Sequence, residues 1–197
     1  AERPDRPGAD RASGPVAAVG GGVADAAVAE WWDGPDMDRL TSLGSTLGEH
    51  LKTRAESVGV AESSSGGLIS AALLAVPGAS AYFLGGGVIY TRTARQGLLG
   101  LPEEVITMRV ATEEYALIVA RAIRDRLEAT WGFCETGASG PTGNRYGDAP
   151  GHSCFAMAGP LERSMTLETG LSDREENMWR FAEESLSFME RVLGEAG

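Results

Sequence analysis

The sequence predicts an α/β domain, a three-layer α/β/α sandwich around a mixed, mostly parallel sheet. Three observations carry that expectation. Between residues 38 and 136, short apolar runs alternate with segments of helical period, the pattern of strands joined by crossover helices. Beyond a long Gly/Pro loop, two further strand-like runs flank Gly159-Pro160 as a hairpin, which adds antiparallel pairing. A final helical period runs from about Asp173 to Leu193. At 197 residues and 43% hydrophobic content, the chain is long and apolar enough to bury one such core.

The elements follow in order. Residues 1–36 are rich in Ala, Gly, Asp and Pro without a lasting apolar period, and read as a flexible leader ahead of a domain over 37–197. Trp31 and Trp32 interrupt the leader, as a docking point or as part of a loosely placed linker. Leu40, Leu43, Leu47 and Leu51 recur at helical spacing, with Gly59 as the stop. Val58–Ala61 is a short buried strand that runs into Glu62-Ser63-Ser64-Ser65-Gly66-Gly67, and Leu68–Val76 is a helix ended by Pro77-Gly78. Gly86–Thr91 reads as a strand and Thr93–Leu99 as a short helix. Thr112 caps a long helix reaching Thr130, with Ala116, Val119, Ala120, Ile123 and Leu127 facing inward. Trp131–Thr136 is a strand that enters the loop 137–151; Ser153–Ala158 and Arg163–Thr169 form the hairpin.

Charge and composition narrow the function. There are 28 acidic against 17 basic residues, a net charge of −11. That balance leaves little with which to build a basic face for nucleic acid or a polyanionic membrane, whereas a few placed arginines can still hold one small anionic ligand. No apolar run approaches the roughly 18–20 residues that span a bilayer, and the first residues lack the n- and h-regions of a secretory signal, so a soluble, cytoplasmic chain is expected. Cys134, Cys154, His50 and His152 have no zinc-ligand spacing, and no metal or cofactor is expected. Lys52 is the sole lysine, which removes most candidates for a lysine base.

Three loops follow strands, where open α/β sheets gather ligands. Ala61–Gly67 puts three hydroxyls and two glycines at a strand-to-helix junction, whose free N–H groups suit a phosphate or the oxyanion of an acyl transfer. The second region carries Ser80 and, beyond a strand, Tyr90-Thr91-Arg92-Thr93-Ala94-Arg95. The third, 135–147, contains Thr136, Gly140 and Arg145, a guanidinium fork of phosphate size. There is no P-loop, no G-x-S-x-G elbow and no S-x-x-K.

At these loops the sequence resembles the C-terminal domain of the competence/damage-inducible protein CinA. Ala61–Gly67 is similar to the family's Ala-Glu-Ser-Cys-Thr-Gly-Gly signature. Val76-Pro77-Gly78-Ala79-Ser80, Gly86-Gly87-Val88-Ile89-Tyr90, Thr136-Gly137-Ala138-Ser139-Gly140-Pro141 and Ser172-Asp173-Arg174 continue it in order, over roughly residues 40–194. The resemblance implies a nicotinamide-nucleotide amidase, which hydrolyses the carboxamide of nicotinamide mononucleotide to the acid and ammonia, and a homo-oligomer. It places Ser63 in the active-site loop and Ser80, Tyr90, Thr136 and Arg174 around the substrate. The nucleophile is Ser63 or Ser80, with Ser63 preferred, and N–H groups of Ser64, Ser65, Gly66 and Gly67 would hold the oxyanion. Tyr90, Glu62 or water would then supply the base. Arg95 departs from the family pattern Tyr-Ser-Asn-Glu-Ala-Lys, since a guanidinium cannot take up a proton near pH 7. Arg145 and Tyr146 are gained in the third loop. Three readings follow: a working amidase with another base, the same scaffold with a shifted substrate, or a nucleotide-binding homologue with arginine clamps.

Overall fold

The structure, a computed structural model, describes residues 35–197. The expected leader and its Trp31-Trp32 pair lie outside these residues, apart from Pro35 and Asp36. Asp36 caps helix α1 (Met37–Arg54), accepting from the N–H groups of Asp38 and Arg39. The helix ends at Ala55 in the left-handed conformation, not at Gly59. Gly59 lies inside strand β1 (Val58–Glu62). Helix α2 (Leu68–Leu74) follows, then a 3-10 turn at Ala79–Ala81 and strand β2 (Phe83–Val88).

Strand β2 begins three residues earlier than its sequence suggests. Glycine is a weak strand former, yet Gly85, Gly86 and Gly87 all lie in it. At Gly86 packing decides: a Cβ there would stand 2.2 Å from Ser70 Oγ on α2. Thr91 is no strand residue; it caps α3 (Arg92–Gly97) by accepting from Ala94 N–H. Helix α4 (Glu103–Ile106) is a single turn, too short to leave a period. Thr112 caps α5 (Glu113–Leu127) as expected. Strands β3 (Trp131–Ala138), β4 (His152–Ala158) and β5 (Glu162–Glu168) precede α6 (Arg174–Glu195), which Asp173 caps.

The five strands lie in the order β2-β1-β3-β4-β5. Strand β1 is parallel to both β2 and β3, while β4 is antiparallel to β3 and β5. Four of the five strands therefore run one way and β4 alone is reversed, which is the mixed, mostly parallel sheet of an α/β/α sandwich. Period-two alternation divides the sheet into unlike faces. Val58, Val60, Trp131, Phe133, Phe155 and Met157 face α1, α2 and α6. Phe188 of α6 meets Phe133 and Phe155 with ring centroids 6.4 and 6.3 Å apart, within the range of favourable aromatic contact.

The other face carries Gly59, Ala61, Gly132, Cys134, Cys154, Ala156 and Ala158, and α5 settles close upon it. At Gly132 a Cβ would lie 1.9 Å from the backbone oxygen of Ala120. Gly132→Ala must push α5 off the sheet, and we expect a loss of about 3 kcal/mol, the upper range for overpacking. The urea midpoint measures it; an unchanged midpoint would show that the helix is free to shift.

Candidate functional site

Alternation along β1 and β3 puts two carboxylates where apolar residues would be expected. Val58, Val60 and Glu62 share one face, as do Trp131, Phe133 and Glu135. Because Ala61 pairs with Cys134, Glu62 and Glu135 are neighbours at the carboxyl-terminal edge of the parallel strands. Both are buried, at 0% and 1% exposure, and buried carboxylates need donors. The serine loop supplies them. Glu135 Oε2 accepts from Ser63 N–H (3.0 Å), Ser65 N–H (2.9 Å) and Ser65 Oγ (2.9 Å). Its Oε1 accepts from the hydroxyls of Ser64 and Ser153. Glu62 Oε2 accepts from Gly67 N–H (2.9 Å) and Ile69 N–H (3.1 Å), and Oε1 from Ser70 N–H (2.7 Å); Oε2 also lies 2.8 Å from Ser65 Oγ, whose single proton the two carboxylates share.

This changes the chemistry expected of the loop. The positive end of α2 already holds an anion, the Glu62 carboxylate. Of the amides expected to cradle an oxyanion, Ser65 N–H is committed to Glu135 and Gly67 N–H to Glu62, while Gly66 N–H bonds the Ser63 carbonyl at 3.3 Å. Ser64 N–H is the loop amide with no protein partner among the described residues. Glu62 and Ser65 are closed off from solvent, so they position the loop and cannot touch a ligand. Glu62 is no base for Ser63 either: its bonded hydroxyl is the buried Ser65.

Above the loop opens a cleft of about 240 Å³, lined by Ser64, Tyr90, Gly137, Ala138, Ser139, Gly140, Thr142, Gly143, Asn144 and Arg174. Arg174, in the first turn of α6, ties its walls: Nη1 donates to the Gly140 carbonyl at 2.8 Å and Nη2 to Tyr90 Oη at 3.2 Å. Asn144 is held by its own loop, with Oδ1 accepting from the N–H groups of Tyr146 and Asp148 and Nδ2 donating to Asp148. Arg145 is not in the cleft. It is exposed, donates to Tyr146 Oη at 2.6 Å and stacks 4.8 Å above that ring.

Beneath the cleft lies a second cavity of about 10 Å³, roughly the space of one water molecule, lined by Glu62, Ser63, Arg95, Tyr115, Cys134, Glu135 and Thr136 among others. Arg95 enters from α3 and is 7% exposed. Nη1 donates to the Ile106 carbonyl at 3.4 Å, the guanidinium lies 5.5 Å from the Tyr115 ring, and Nε has no hydrogen-bond partner. Its neighbours do not neutralise it. Burial pushes the Tyr115 phenol up to about 12 even against the pull of Arg95, and burial also holds the Cys134 thiol well above the ordinary thiol range. Both stay protonated, and no carboxylate pairs with Arg95 within 4.0 Å among the described residues.

The structure thus gathers Ser63, Ser64, Tyr90, Thr136, Gly140 and Arg174 at one edge, with Arg95 below. Ser80 is elsewhere. It is exposed in the turn before β2, at the opposite edge of the sheet, about 20 Å away for a six-residue strand. Sequence reading missed Glu135, Ser153, Thr142 and Asn144; the alternation Trp131-Phe133-Glu135 was the available signal for the first.

His152, at the start of β4, serves the architecture. Nδ1 contacts Glu168 Oε1 at 2.5 Å and Nε2 contacts the Ala111 carbonyl at 3.0 Å. Both partners are acceptors, so the doubly protonated ring satisfies both. Burial lowers the affinity of the ring for its proton, but the bonds to Glu168 and Ala111 outweigh burial, and the folded value lies above 6.5. A raised histidine stabilises fully below the unfolded value of about 6.5, and that contribution is lost as pH rises through the folded value. Urea midpoints should therefore fall across this window in the native chain and flatten in His152→Gln. Parallel profiles would show that the ring is neutral throughout.

Comparison with known proteins agrees with this geometry. The family model for the CinA C-terminal domain matches residues 40–193. A CinA-like protein of Cyanothece is 40% identical over 129 residues, 64% of this chain and 30% of its own length. A CinA-like protein of Gloeobacter violaceus is 37% identical over 139 residues, 70% of this chain and 32% of its own. The chain thus spans about a third of the length of these relatives. A competence/damage inducible protein from Agrobacterium tumefaciens superimposes with a TM-score of 0.72 at 26% identity, covering 81% of this chain and 97% of its own. Among the described residues, no helix is long and apolar enough to cross a membrane.

Proposed function

The chain belongs to the CinA C-terminal domain family, and from that premise we propose that it hydrolyses the carboxamide of nicotinamide mononucleotide, or of a related pyridine nucleotide, to the acid and ammonia. The observation that supports this reading is the serine loop held rigid by Glu62 and Glu135 at the floor of an open cleft bridged by Arg174. Ser63 Oγ attacks the carboxamide carbon, and the tetrahedral oxyanion takes the unengaged N–H of Ser64. Ammonia leaves as water returns a proton to its nitrogen, and a second water cleaves the acyl-serine to release the acid and restore the Ser63 hydroxyl. Arg95 lines the small cavity beside Ser63 and favours the developing negative charge without accepting a proton. The proton of Ser63 passes to water, since Tyr90 is engaged with Arg174 and His152 with Glu168 and Ala111.

One observation favours a second reading. Ser63 Oγ has no acceptor among the described residues, and the cation beneath it is a permanent one. A nucleotide-binding homologue needs no more than that. Ammonia release from nicotinamide mononucleotide by the full chain distinguishes the two, with Ser63→Ala and Ser64→Ala beside it. Turnover that falls to background in Ser63→Ala supports the amidase; loss in Ser64→Ala alone moves the nucleophile by one residue. No turnover, with calorimetric binding intact, leaves the binding homologue.

A further inference from the structure

The loop between β3 and β4 runs on past the cleft into side chains that the site does not use. Thr142, Gly143 and Asn144 line the cleft, and Arg145 and Tyr146 come next in the chain. Tyr146 is half-buried. Arg145 is exposed and stacked on its ring, 4.8 Å from the centroid, with Nη2 donating to Tyr146 Oη at 2.6 Å. The guanidinium of Arg109, in the segment before α5, stands 6.0 Å from the same ring. Arg109 is paired with Asp148, whereas Arg145 has no carboxylate within 4.0 Å among the described residues.

The stacked pair sits on a braced loop. Asp148 Oδ2 accepts from Asn144 Nδ2 at 2.8 Å, and its Oδ1 holds Arg109 at 2.5 Å. Asn144 Oδ1 accepts in turn from the N–H groups of Tyr146 and Asp148. A Cβ on Gly143 would stand 2.1 Å from the Asp148 backbone oxygen, so the two arms of the loop are in contact. A guanidinium held this way has given up much of its rotamer freedom before any ligand arrives, which lowers the cost of binding. The surrounding charge also selects an anion. The ten residues lining the cleft include Arg174 and no carboxylate, in a chain with 28 acidic against 17 basic residues.

We propose that cleft and loop together take a pyridine dinucleotide, with the pyridine half in the cleft and the second base stacked on the Arg145 guanidinium. This rests on the amidase reading above and narrows its substrate. The cleft, at about 240 Å³, is smaller than the roughly 300–1,000 Å³ of sites that enclose a drug-sized ligand. The far half of a longer ligand therefore lies outside it, on the loop that leads to Arg145. A guanidinium suits both groups found there. Its N–H fork meets the oxygens of a diphosphate, and its flat face stacks on a nucleobase. A phosphate alone needs only the fork. Tyr146 beneath Arg145 holds the plane flat, and a base adds the third layer.

Calorimetry on the full chain tests this without turnover, with nicotinamide mononucleotide and nicotinamide adenine dinucleotide as the two probes. The native chain should bind the dinucleotide about tenfold more tightly, within the range that one stacked base contributes. Arg145→Ala should abolish that advantage and leave the mononucleotide Kd in place. Arg145→Lys keeps the charge but not the plane, and should recover little of the loss. Tyr146→Leu should act like Arg145→Ala, with the urea midpoint of each variant confirming the fold. Equal native affinity for the two probes would overturn the proposal. So would an equal loss for both probes in Arg145→Ala, which would make the residue a brace for the loop, or a full advantage retained in Arg145→Lys. If the dinucleotide is preferred but neither probe releases ammonia, the stacking site stands and the amidase reading fails. If the mononucleotide is turned over and the dinucleotide binds no better, the amidase stands and the stacking site fails. Binding of neither probe would sink both.

Discussion

Glu135→Ala should destabilise the fold by about 3 kcal/mol or more, whereas Glu135→Gln should leave it near the native value. The carboxylate accepts from two backbone N–H groups and three hydroxyls. Hydroxyls can rotate towards other acceptors; the N–H groups of Ser63 and Ser65 cannot. Leaving a buried donor unsatisfied costs about 1–3 kcal/mol each, a large part of the 5–15 kcal/mol typical of a domain. Glutamine meets the same demand by a different count. Its carbonyl oxygen replaces Oε2 and accepts the two amides, and its NH₂ replaces Oε1 and donates to Ser64 Oγ and Ser153 Oγ. Ser153 then has the Thr136 carbonyl, 3.4 Å away, for its own proton. Urea midpoints of the two variants decide the matter, and equal losses would mean that the charge of Glu135, not its acceptor geometry, holds the loop. The pair also separates structure from chemistry. If ammonia release collapses in a stable Glu135→Gln protein, the carboxylate takes a proton in the reaction as well as holding the loop.

The role of Glu135 shows where the sequence could be read and where it could not. A local signal placed Thr112 as a cap, because a hydroxyl before an apolar helix has one inexpensive use. The order of strands and helices followed from periodicity and turn residues. Strand β2 was displaced because three glycines weaken a local strand signal, and the reason for Gly86 is a serine on another element. The serine loop was found from its composition, yet its polarity was reversed. Free amides at a helix start suggest an anion site, and the anions turned out to be Glu62 and Glu135, the second from a strand far along the chain. Nothing near Ser63 in sequence announces that partner. Arg95 was legible as a residue type but not as a buried cation with an unbonded Nε, since burial depends on α4 and α5 packing around it.

Arg95→Lys carries the largest kinetic expectation. At this position the family pattern has lysine, and the difference is one of proton chemistry. An amine in a cavity with little water loses its proton more readily than in solution, whereas guanidinium keeps its own. The small cavity that Arg95 shares with Ser63 is lined also by Tyr115, Cys134 and Thr136, and the neighbouring thiol and phenol remain protonated. Lysine there can accept the proton of Ser63 and return it to the leaving ammonia. Restored general base catalysis should raise kcat by about 10²–10⁴, with a new ionisation in the pH profile and little change in KM. The fold should tolerate the exchange, because the Ile106 carbonyl is the one hydrogen-bond partner to re-engage. A rise in KM or in the calorimetric Kd without a gain in kcat would show instead that the guanidinium grips the ligand. Arg95→Met then distinguishes the remaining possibility. If it binds and turns over as the native chain does, the buried charge serves neither step, and the departure from lysine marks a site whose chemistry no longer needs a cation beneath the serine.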